Sequence, residues 1–445
     1  MRPASPWLPL ALAALAACSS RSSGPPEGGA AGSAPASGPS AAASAAPAAS
    51  AAAIVGAAPT KPWSKVRNVL LLTVDALRAD QPWSGYGFGS TPVLSALAEK
   101  SAYFTRMYSV ANHTMPSLTA VLSGRYPSEL PRDRCPLTFF QFGGGVASYL
   151  SQDGVYTFAS QGHAVFLGAI KPDVGFEEWH VLSHVANLKA TEGAVTGEPI
   201  AAAMNEFLRK QSPGGRRFLA WSHLVDPHDA YVRHADFPAS KHPRRNVYDG
   251  EVSYEDHVIG TIFETLKAQG LENETAIVLT ADHGEGFAEH GYNRHGYTVF
   301  EEEVHVPFFL YVPGMTPQHI DTPRSLIDLA PTLAELFGVE APASWRGHSL
   351  LADLGAAAPV PRTVIVDAPE LDTRPGLRAV VRGNSKVIFT GAQAPKVFDL
   401  SADPEEKKPL AAADATPHLE AARDALDELE GIASTPCHLT KEKKK

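Results

Sequence analysis

The sequence is poor in cysteine, has no excess of basic residues and contains no long apolar segment. Three cysteines in 445 residues are too few for a disulfide framework, so the fold must rest on an apolar core. The net charge of −10 and the pI near 5.9 argue against nucleic acid as a partner, because a nucleic-acid surface needs a basic stripe. No run is long enough for a membrane-spanning helix. The length suits one large domain or two ordinary ones.

The N-terminus has the pattern of a targeting segment. Arg2 precedes an apolar run at residues 7–17, which is too short to cross a bilayer. The run ends in Leu-Ala-Ala-Cys at Cys18, which resembles the lipobox of bacterial lipoproteins. This resemblance implies that residues 1–17 are a signal peptide and that Cys18 is lipidated. It would anchor the chain in a bacterial cell envelope, on the periplasmic or outer-membrane face. The alternative is an ordinary signal peptide with a chance cysteine.

Residues 18–60 consist almost entirely of Ala, Ser, Gly and Pro. A segment of this composition cannot bury a core, so it predicts a flexible tether. Roughly 40 such residues span about 35 Å, which would hold a folded domain clear of a membrane while keeping it attached.

Three continuous apolar runs predict strands that are buried on both faces of a parallel sheet. These strands lie at residues 69–74, 218–221 and 276–281, and helical patterns at 91–100, 117–123 and 253–269 alternate with them. The alternation predicts an α/β domain at residues 66–355, with a large, mostly parallel sheet sandwiched by helices.

The last part of the sequence changes character. Short strand patterns at 363–367, 377–382 and 386–390 are followed by a helical pattern at 421–429. These elements predict a small α+β subdomain at residues 360–430, followed by a tail at residues 431–445.

Two cysteines remain besides Cys18. Cys135 and Cys437 either pair in an oxidising compartment or stay as two buried free thiols. The sequence favours neither reading, because it does not establish that the geometry permits a bond.

Metal-ligating side chains follow two of the predicted strands. Asp75 comes directly after the first run, and Asp282 and His283 come directly after the third. Ligands bind beyond the carboxyl ends of strands in open α/β sheets. Asp75 alone is a weak signal, because turns also favour Asp, but an Asp-His pair offers one cation an oxygen and a nitrogen. The three side chains together predict a divalent-metal site.

Thr114 lies just before a predicted helix, with Pro116 near the first turn. In one interpretation its hydroxyl caps the helix. In the other it is a nucleophile, because a helix N-terminus presents free N–H groups and a positive dipole end to an anion. A bound metal can deprotonate such a hydroxyl.

Histidine is concentrated in one part of the chain. Nine of the seventeen histidines lie between residues 223 and 305, and most of them are expected to be bystanders. His228, just beyond the strand at 218–221, is the strongest candidate for a catalytic role, and His295 is the next.

Several segments resemble the sulfatase family of the alkaline-phosphatase superfamily. NVLLLTVDALRAD at 68–80 resembles the family's opening strand and metal Asp, and TMPSLTAVLSGR at 114–125 resembles the signature around its catalytic residue. DPHDAY at 226–231, ADHGE at 281–285 and EHGYNRHG at 289–296 are similar to its Pro-His-x-Pro-Tyr element and second metal segment. VFDLSADPEEKKPL at 397–410 is similar to its C-terminal stretch. The resemblance covers residues 66–430 in order.

The resemblance implies a role for each matching residue. Asp75, Thr114, Asp282 and His283 would be metal ligands, and Thr114 would also be the catalytic nucleophile. His228 would be catalytic and would contact the transferred group or the leaving oxygen. His295 would be a second substrate contact or a ligand.

The sequence also departs from the family pattern. Sulfatases oxidise a Cys or Ser to formylglycine, whereas Thr114 stands at that position and its methyl group should block the conversion. The expected Arg after Pro-Ser is Leu118, and the family's Gly-Lys-x-His segment is not evident, although His163 lies in about the right region. We therefore expect no formylglycine and an unmodified Thr nucleophile. The His ligand favours Mn or Zn over Ca, and Asp226 with His228 would hold any second metal.

The sequence leaves three functions open. The first is a metal-dependent hydrolase of sulfate or phosphate esters, acting on an anionic small molecule, glycan or lipid. The second is a phosphoryl-group transferase acting on envelope molecules, and the third is a non-catalytic sulfatase-like binding protein. Retention of Asp75, Asp282, His283 and His228 favours an enzyme, because a binding module does not need a metal-activated hydroxyl.

Overall fold

The structure is a computed structural model that describes residues 62–135, 145–163, 166, 175–182, 195–237 and 239–437. The predicted signal peptide with Cys18, the tether at 18–60 and residues 438–445 of the predicted tail lie outside these residues. In the described part, no helix combines the length and apolar character that crossing a bilayer requires.

Strands form the central sheet of the large domain and a separate sheet in the C-terminal part. The strands up to residue 294 are β1 Asn68–Val74, β2 Ala102–Phe104, β3 Met107–Tyr108, β4 Tyr156–Gln161, β5 Glu178–Val181, β6 Phe218–Leu224, β7 Thr275–Ala281, β8 Gly286–Phe287 and β9 Asn293–Arg294. The later strands are β10 His305–Val306, β11 Phe308–Tyr311, β12 Gln318–Ile320, β13 Arg324–Ser325, β14 Val364–Ala368, β15 Leu377–Arg382, β16 Ser385–Thr390 and β17 Lys396–Asp399.

Among the described residues, eight strands form one sheet in the order β12-β2-β11-β7-β1-β6-β4-β5. The neighbours β7-β1-β6-β4-β5 are all parallel, and β11 pairs antiparallel with β7 and β2. The prediction of a large, mostly parallel sheet is therefore confirmed. Strands β1, β6 and β7 are buried along their whole length, which is why their sequences are continuous apolar runs.

Helices pack on this sheet. Their bounds are α1 Pro92–Ala98, α2 Thr114–Ser123, α3 Val146–Gln152, α4 Gly197–Arg209, α5 Asn246–Ala268, α6 Glu301–Val304, α7 Leu329–Phe337 and α8 Ala412–Asp427. Short 3-10 turns occupy Pro62–Lys65, Pro82–Ser84, Pro127–Glu129, Leu326–Asp328 and Leu350–Asp353. Helix α5 contacts α4 and α1, while α7 contacts α2 and α3. The helix predicted at 253–269 begins seven residues earlier, and the one predicted at 421–429 begins nine residues earlier.

The C-terminal part is a four-stranded antiparallel sheet in the order β14-β15-β16-β17, with α8 packed on it. On one face, Val380, Val387 and Val397 meet Ala422 of α8. On the other face, side chains of the sheet form a cluster with Phe300 and neighbouring residues of the large domain. The predicted small α+β subdomain is confirmed, and its sheet needs both covers because both faces are apolar.

The two cysteines whose state the sequence left open form a disulfide, Cys135–Cys437, which closes a sequence separation of 302 residues. The segment at 431–437 runs beside the start of this loop. The N–H of Ile432 donates to the Ser128 carbonyl at 2.8 Å, and the N–H of Arg134 donates to the Thr435 carbonyl at 2.9 Å. This part of the predicted tail is thus fastened to the large domain.

Candidate active site

Four adjacent parallel strands, β7, β1, β6 and β4, end at the same edge of the sheet. Asp75 follows β1 directly and Asp282 follows β7 directly, while His228 lies four residues beyond β6 and His163 two residues beyond β4. Because parallel strands bring their carboxyl ends together, these side chains share one site.

Thr114 enters this site from the N-terminus of α2. It is the first helical residue, so the expectation that it precedes the helix was wrong; His113 before it is extended, with φ −159° and ψ 163°. The Ser117 hydroxyl donates to the Asp282 carbonyl at 2.6 Å and fixes the first turn against β7. Thr114 is 5% exposed, and its Oγ1 lies 3.3 Å from Asp75 Oδ2 and 3.3 Å from His283 Nε2.

Asp75 is fully buried at the centre of the site. Its N–H donates to the Leu224 carbonyl at 2.8 Å, which joins β1 to β6 at their ends. Burial opposes ionisation of its carboxyl, but the charge of His228 and contacts with His223 and His283 hold its pKa well below the usual value. Asp75 is therefore a carboxylate in a shell of imidazoles.

Asp282 and His283 are oriented by their own backbone. Asp282 Oδ1 accepts from the N–H of His283 at 2.9 Å and from the N–H of Ala76 at 3.3 Å. His283 Nδ1 lies 2.8 Å from the Gly284 carbonyl, so Nδ1 carries the proton and Nε2 is left as an acceptor. Burial, and next the charge of Asp75, raise the pKa of Asp282 well above its usual value. Two buried carboxylates side by side call for a cation.

His223 is a site residue that the sequence reading missed. It lies inside β6, its Nε2 is 3.3 Å from Asp75 Oδ2, and its Nδ1 is 2.9 Å from Thr73 Oγ1. Thr73 Oγ1 also accepts from Trp221 Nε1 at 2.9 Å. The available signal was a histidine in a mostly apolar strand.

The donor atoms of this site fit a metal. Asp75 Oδ1, Asp282 Oδ2 and His223 Nε2 are buried and make no hydrogen bond to any residue that the structure describes. Two groups have ligand atoms within 4.8 Å of one another: Asp75 with His223 and Asp282, and Asp75 with His163 and His228. Buried polar atoms without partners are costly, and a divalent cation would satisfy the three orphaned atoms together.

Three further histidines form the outer part of the site. The ring centroid of His228 lies 5.0 Å from that of His295 and 5.3 Å from that of His163. His295 also lies 4.2 Å from His283, and its Nδ1 is 3.1 Å from Glu285 Oε1. Burial, followed by the positive charge of His228, lowers the pKa of His295 to about 3. Burial likewise lowers the pKa of His163 to about 3.

The structure gives Asp226 a different role from the one expected. Its Oδ1 accepts from the N–H of Thr196 at 2.9 Å and its Oδ2 from the Thr196 hydroxyl at 3.1 Å, at the start of α4. Asp226 is in neither group of potential ligands, whereas His228 is grouped with His163, which the sequence reading had set aside. The expectation that Asp226 would hold a second metal is not supported by this geometry.

The comparisons with known proteins agree with this architecture. The family model described as Sulfatase matches residues 67–339. The chain is 26% identical to choline-sulfatase of Rhizobium meliloti (strain 1021) over 429 aligned residues, covering 77% of this chain and 82% of the relative.

Two solved structures show the same fold. Ps i-CgsB in complex with k-i-k-neocarrahexaose matches with a TM-score of 0.71 at 18% identity, covering 85% of this chain and 96% of that one. The phosphonate monoester hydrolase of Agrobacterium radiobacter matches with a TM-score of 0.62 at 18% identity, covering 81% of this chain and 95% of that one.

An α/β sheet with a metal-ligand cluster beyond its strand ends and a hydroxyl at a helix N-terminus defines a hydrolase of the alkaline-phosphatase superfamily. The chain belongs to the sulfatase family within it, and it is a hydrolase that acts on ester bonds.

Proposed function

We propose that this protein is a metal-dependent hydrolase of sulfate or phosphate esters in which an unmodified Thr114 is the nucleophile. One observation carries the proposal. The Thr114 hydroxyl sits at the N-terminus of α2 and lies 3.3 Å from both a buried carboxylate and a buried imidazole nitrogen. A hydroxyl with only a capping role does not need to face two potential metal ligands.

Asp75, Asp282, His283 and His223 would hold the metal, with the Thr114 hydroxyl beside them. Two imidazole nitrogens with carboxylate oxygens favour Mn or Zn over Ca. When bound, the cation would lower the pKa of the Thr114 hydroxyl and offset negative charge that develops on the transferred group. Asp75, His163 and His228 form a second group of close ligand atoms, but we assign His228 to proton donation.

The residues around Thr114 orient the substrate. Residues in the first turn of a helix have N–H groups without intrahelical partners, and Pro116 has none to donate. The N–H groups of Thr114 and Met115 are therefore available to oxygens of a sulfuryl or phosphoryl group, and the helix dipole adds to this attraction. His295 faces the same space, positioned by Glu285.

The proposed reaction has two displacements. Thr114 Oγ1 loses its proton to solvent and forms a bond to sulfur or phosphorus while the bond to the leaving oxygen breaks, and a proton from His228 goes to that oxygen. Water then attacks the Thr-linked ester and the bond from Oγ1 to sulfur or phosphorus breaks. One proton of the water returns to His228 and the other to Thr114 Oγ1, and sulfate or phosphate is released. The buried histidines stabilise the charge in an in-line geometry. No formylglycine takes part, because the methyl group of Thr114 blocks oxidation to an aldehyde.

The substrate that we propose is an anionic ester of a small molecule, glycan or lipid. One relative is named for choline sulfate, and one solved neighbour is bound to a neocarrahexaose; these names support this breadth of substrate. We further propose that the protein acts in a bacterial envelope, on the periplasmic or outer-membrane face, held by a lipid on Cys18 and the tether at residues 18–60.

The test is turnover of 4-nitrophenyl sulfate, 4-nitrophenyl phosphate and bis(4-nitrophenyl) phosphate by purified protein with and without Mn²⁺ or Zn²⁺. Thr114→Ala should lower kcat at least about 10⁴-fold, while Thr114→Ser should retain measurable turnover because it keeps a hydroxyl. Thr119→Ala, which changes a buried threonine in the same helix, is the matched control and should stay active.

Several outcomes would contradict the proposal. Full activity of Thr114→Ala would remove Thr114 as the nucleophile. Product that forms only with an added acceptor alcohol would indicate a transferase. Tight binding of an ester without turnover by any metal-loaded form would indicate a binding protein.

A further inference from the structure

Arg374 reaches the rim of the active site from the C-terminal subdomain. It lies in the connection between β14 and β15, which we call the Arg374 hairpin (residues 369–376), where Leu371 and Arg374 pair across a tight turn. Arg374 Nη1 donates to the Gly296 carbonyl, next to His295. The guanidinium carbon also lies 4.9 Å from the centroid of the Tyr297 ring. The small subdomain thus places a cation beside the catalytic histidines.

The main chain of the large domain is shaped to admit this arginine. Gly296 has φ +82°, and a Cβ added to it would lie 2.7 Å from Arg374 Nη1. A side chain at this position would therefore be strained and would also displace the guanidinium. The N–H of Gly296 donates to Glu303 Oε2 at 2.8 Å, which holds the loop in place. The close approach of Arg374 to Gly296 therefore depends on the large domain as well as on the C-terminal subdomain.

No carboxylate of the described residues compensates the charge of Arg374. Among the described residues, none lies within the 4.0 Å ion-pair distance of its guanidinium. Neighbouring arginines differ: Arg294 pairs with Asp229 at 2.8 Å, and Arg378 pairs with Asp367 at 3.0 Å. Arg374 is only partly exposed. Binding of an anionic group would therefore stabilise its charge more than the charge of an arginine that already has a carboxylate partner.

Two exposed aromatic rings accompany the cation. Tyr292 is 52% exposed and Tyr297 is 44% exposed. Their ring centroids lie 5.6 Å apart and their planes differ by 6°. Tyr297 is two residues from His295, so their Cα atoms are at most about 7 Å apart. The rim beside the reacting groups therefore offers ring surface and positive charge together.

Ion pairs and a backbone N–H hydrogen bond fix the Arg374 hairpin. Arg134 Nε lies 2.7 Å from Asp372 Oδ1, and Arg134 Nη1 lies 2.9 Å from Glu370 Oε1. The N–H of Cys437 donates to Asp372 Oδ2 at 2.9 Å, directly beside the Cys135–Cys437 disulfide. A side chain that must bind a ligand group at a fixed place needs support of this kind.

We propose that Arg374 determines substrate specificity by binding a second anionic group of the substrate. This inference rests on the proposed function. That group is a sulfate or carboxylate on the sugar ring that bears the scissile ester, with the exposed tyrosines beside the ring. The preferred substrate is then a sugar ester with at least two negative groups. The first group reacts at Thr114, and the second, with its ring, stays at the rim.

The experiment compares glucosamine 2-N,6-O-disulfate with N-acetylglucosamine 6-sulfate, which lacks the second anion. Binding is measured by calorimetry on the metal-loaded Thr114→Ala protein, and kcat/KM is measured on the active enzyme wherever turnover occurs. We expect tighter binding of the disulfate. Adding Arg374→Gln should lower the ratio of the two affinities roughly 10- to 100-fold, as for loss of a charge-assisted hydrogen bond.

Two further variants separate recognition from stability. Gly296→Ala should lower the same ratio, because its Cβ displaces the guanidinium. Arg382→Gln, which changes an exposed arginine at the far end of β15, is the matched control and should leave both affinities unchanged.

Equal weakening of both ligands by Arg374→Gln would make Arg374 a structural residue and would overturn the inference. A wild-type protein that does not prefer the disulfate would overturn it as well. Failure of the proposed function has a different signature, because every form would lack turnover while the binding preference and its dependence on Arg374 persist.

Discussion

Loading the site with Mn²⁺ or Zn²⁺ is expected to raise the melting temperature of this protein measurably, independently of any substrate. A ligand that binds only the folded state contributes about 2.7 kcal/mol at a concentration of 100 times Kd and about 4.1 kcal/mol at 1,000 times Kd. A folded body of roughly 380 residues unfolds with an entropy of about 0.8 kcal/mol per kelvin. The expected increase is therefore about 3 °C at the lower concentration and about 5 °C at the higher one.

The variant Asp282→Asn tests where this stabilisation arises. Oδ1 of the new amide still accepts the N–H groups of Ala76 and His283, but the charge at the orphaned Oδ2 position is lost. The metal-free variant should be at least as stable as the wild type, because one of two adjacent buried carboxylates is gone. Its gain on adding metal should be much smaller.

The assay is scanning calorimetry of chelator-treated protein over a range of metal concentrations, with metal content determined in parallel. Asp256→Asn, which changes a buried carboxylate outside the site, is the control and should keep the full gain. An increase in melting temperature that is the same for Asp282→Asn and for the wild type would refute the reasoning, and so would no increase in the wild type at saturating metal.

Two predictions concern stability. Replacing both Cys135 and Cys437 by Ser should lower the free energy of unfolding by about 2–5 kcal/mol, because the bond closes a very long loop; a loss below about 1 kcal/mol in denaturant titrations would contradict this. Burial raises the pKa of Asp256 to about 6, so the folded state keeps a proton that the unfolded chain releases near pH 4. The contribution of Asp256 to the free energy of unfolding should therefore fall by up to about 2 kcal/mol as pH rises from 4 to 6. Asp256→Asn should remove that fall, and an unchanged pH profile for the variant would contradict the assignment.

The parts of the fold with strong local signals could be predicted from the sequence. Strands β1 and β7 are buried on both faces, so their apolar runs had only one interpretation, and Asp75 and Asp282 follow from the position of ligands at strand ends. The helix boundaries were less accurate. The first two turns of α5 combine charged and polar residues with its apolar ones, which hides the period that marks a helix.

The residues that the sequence reading missed depend on tertiary contacts. His223 lies inside a strand, and only the parallel register of β1 and β6, which sets Thr73 against it, shows that its ring faces Asp75. Asp226 looked like a ligand because it neighbours His228, yet it binds the start of α4. The pairing of Cys135 with Cys437 joins distant parts of the chain, which no local pattern can report.

The Arg374 hairpin has a consequence for how this protein can change. Arg134 and the N–H of Cys437 fix it through Glu370 and Asp372. The next two residues, Thr373 and Arg374, belong to neither the central sheet nor the potential metal ligands. Mutations at these two positions can therefore accumulate without disturbing the reacting groups. A library randomised at residues 373 and 374 would sample new substrate preferences on an unchanged catalytic domain, and natural divergence has the same route open to it.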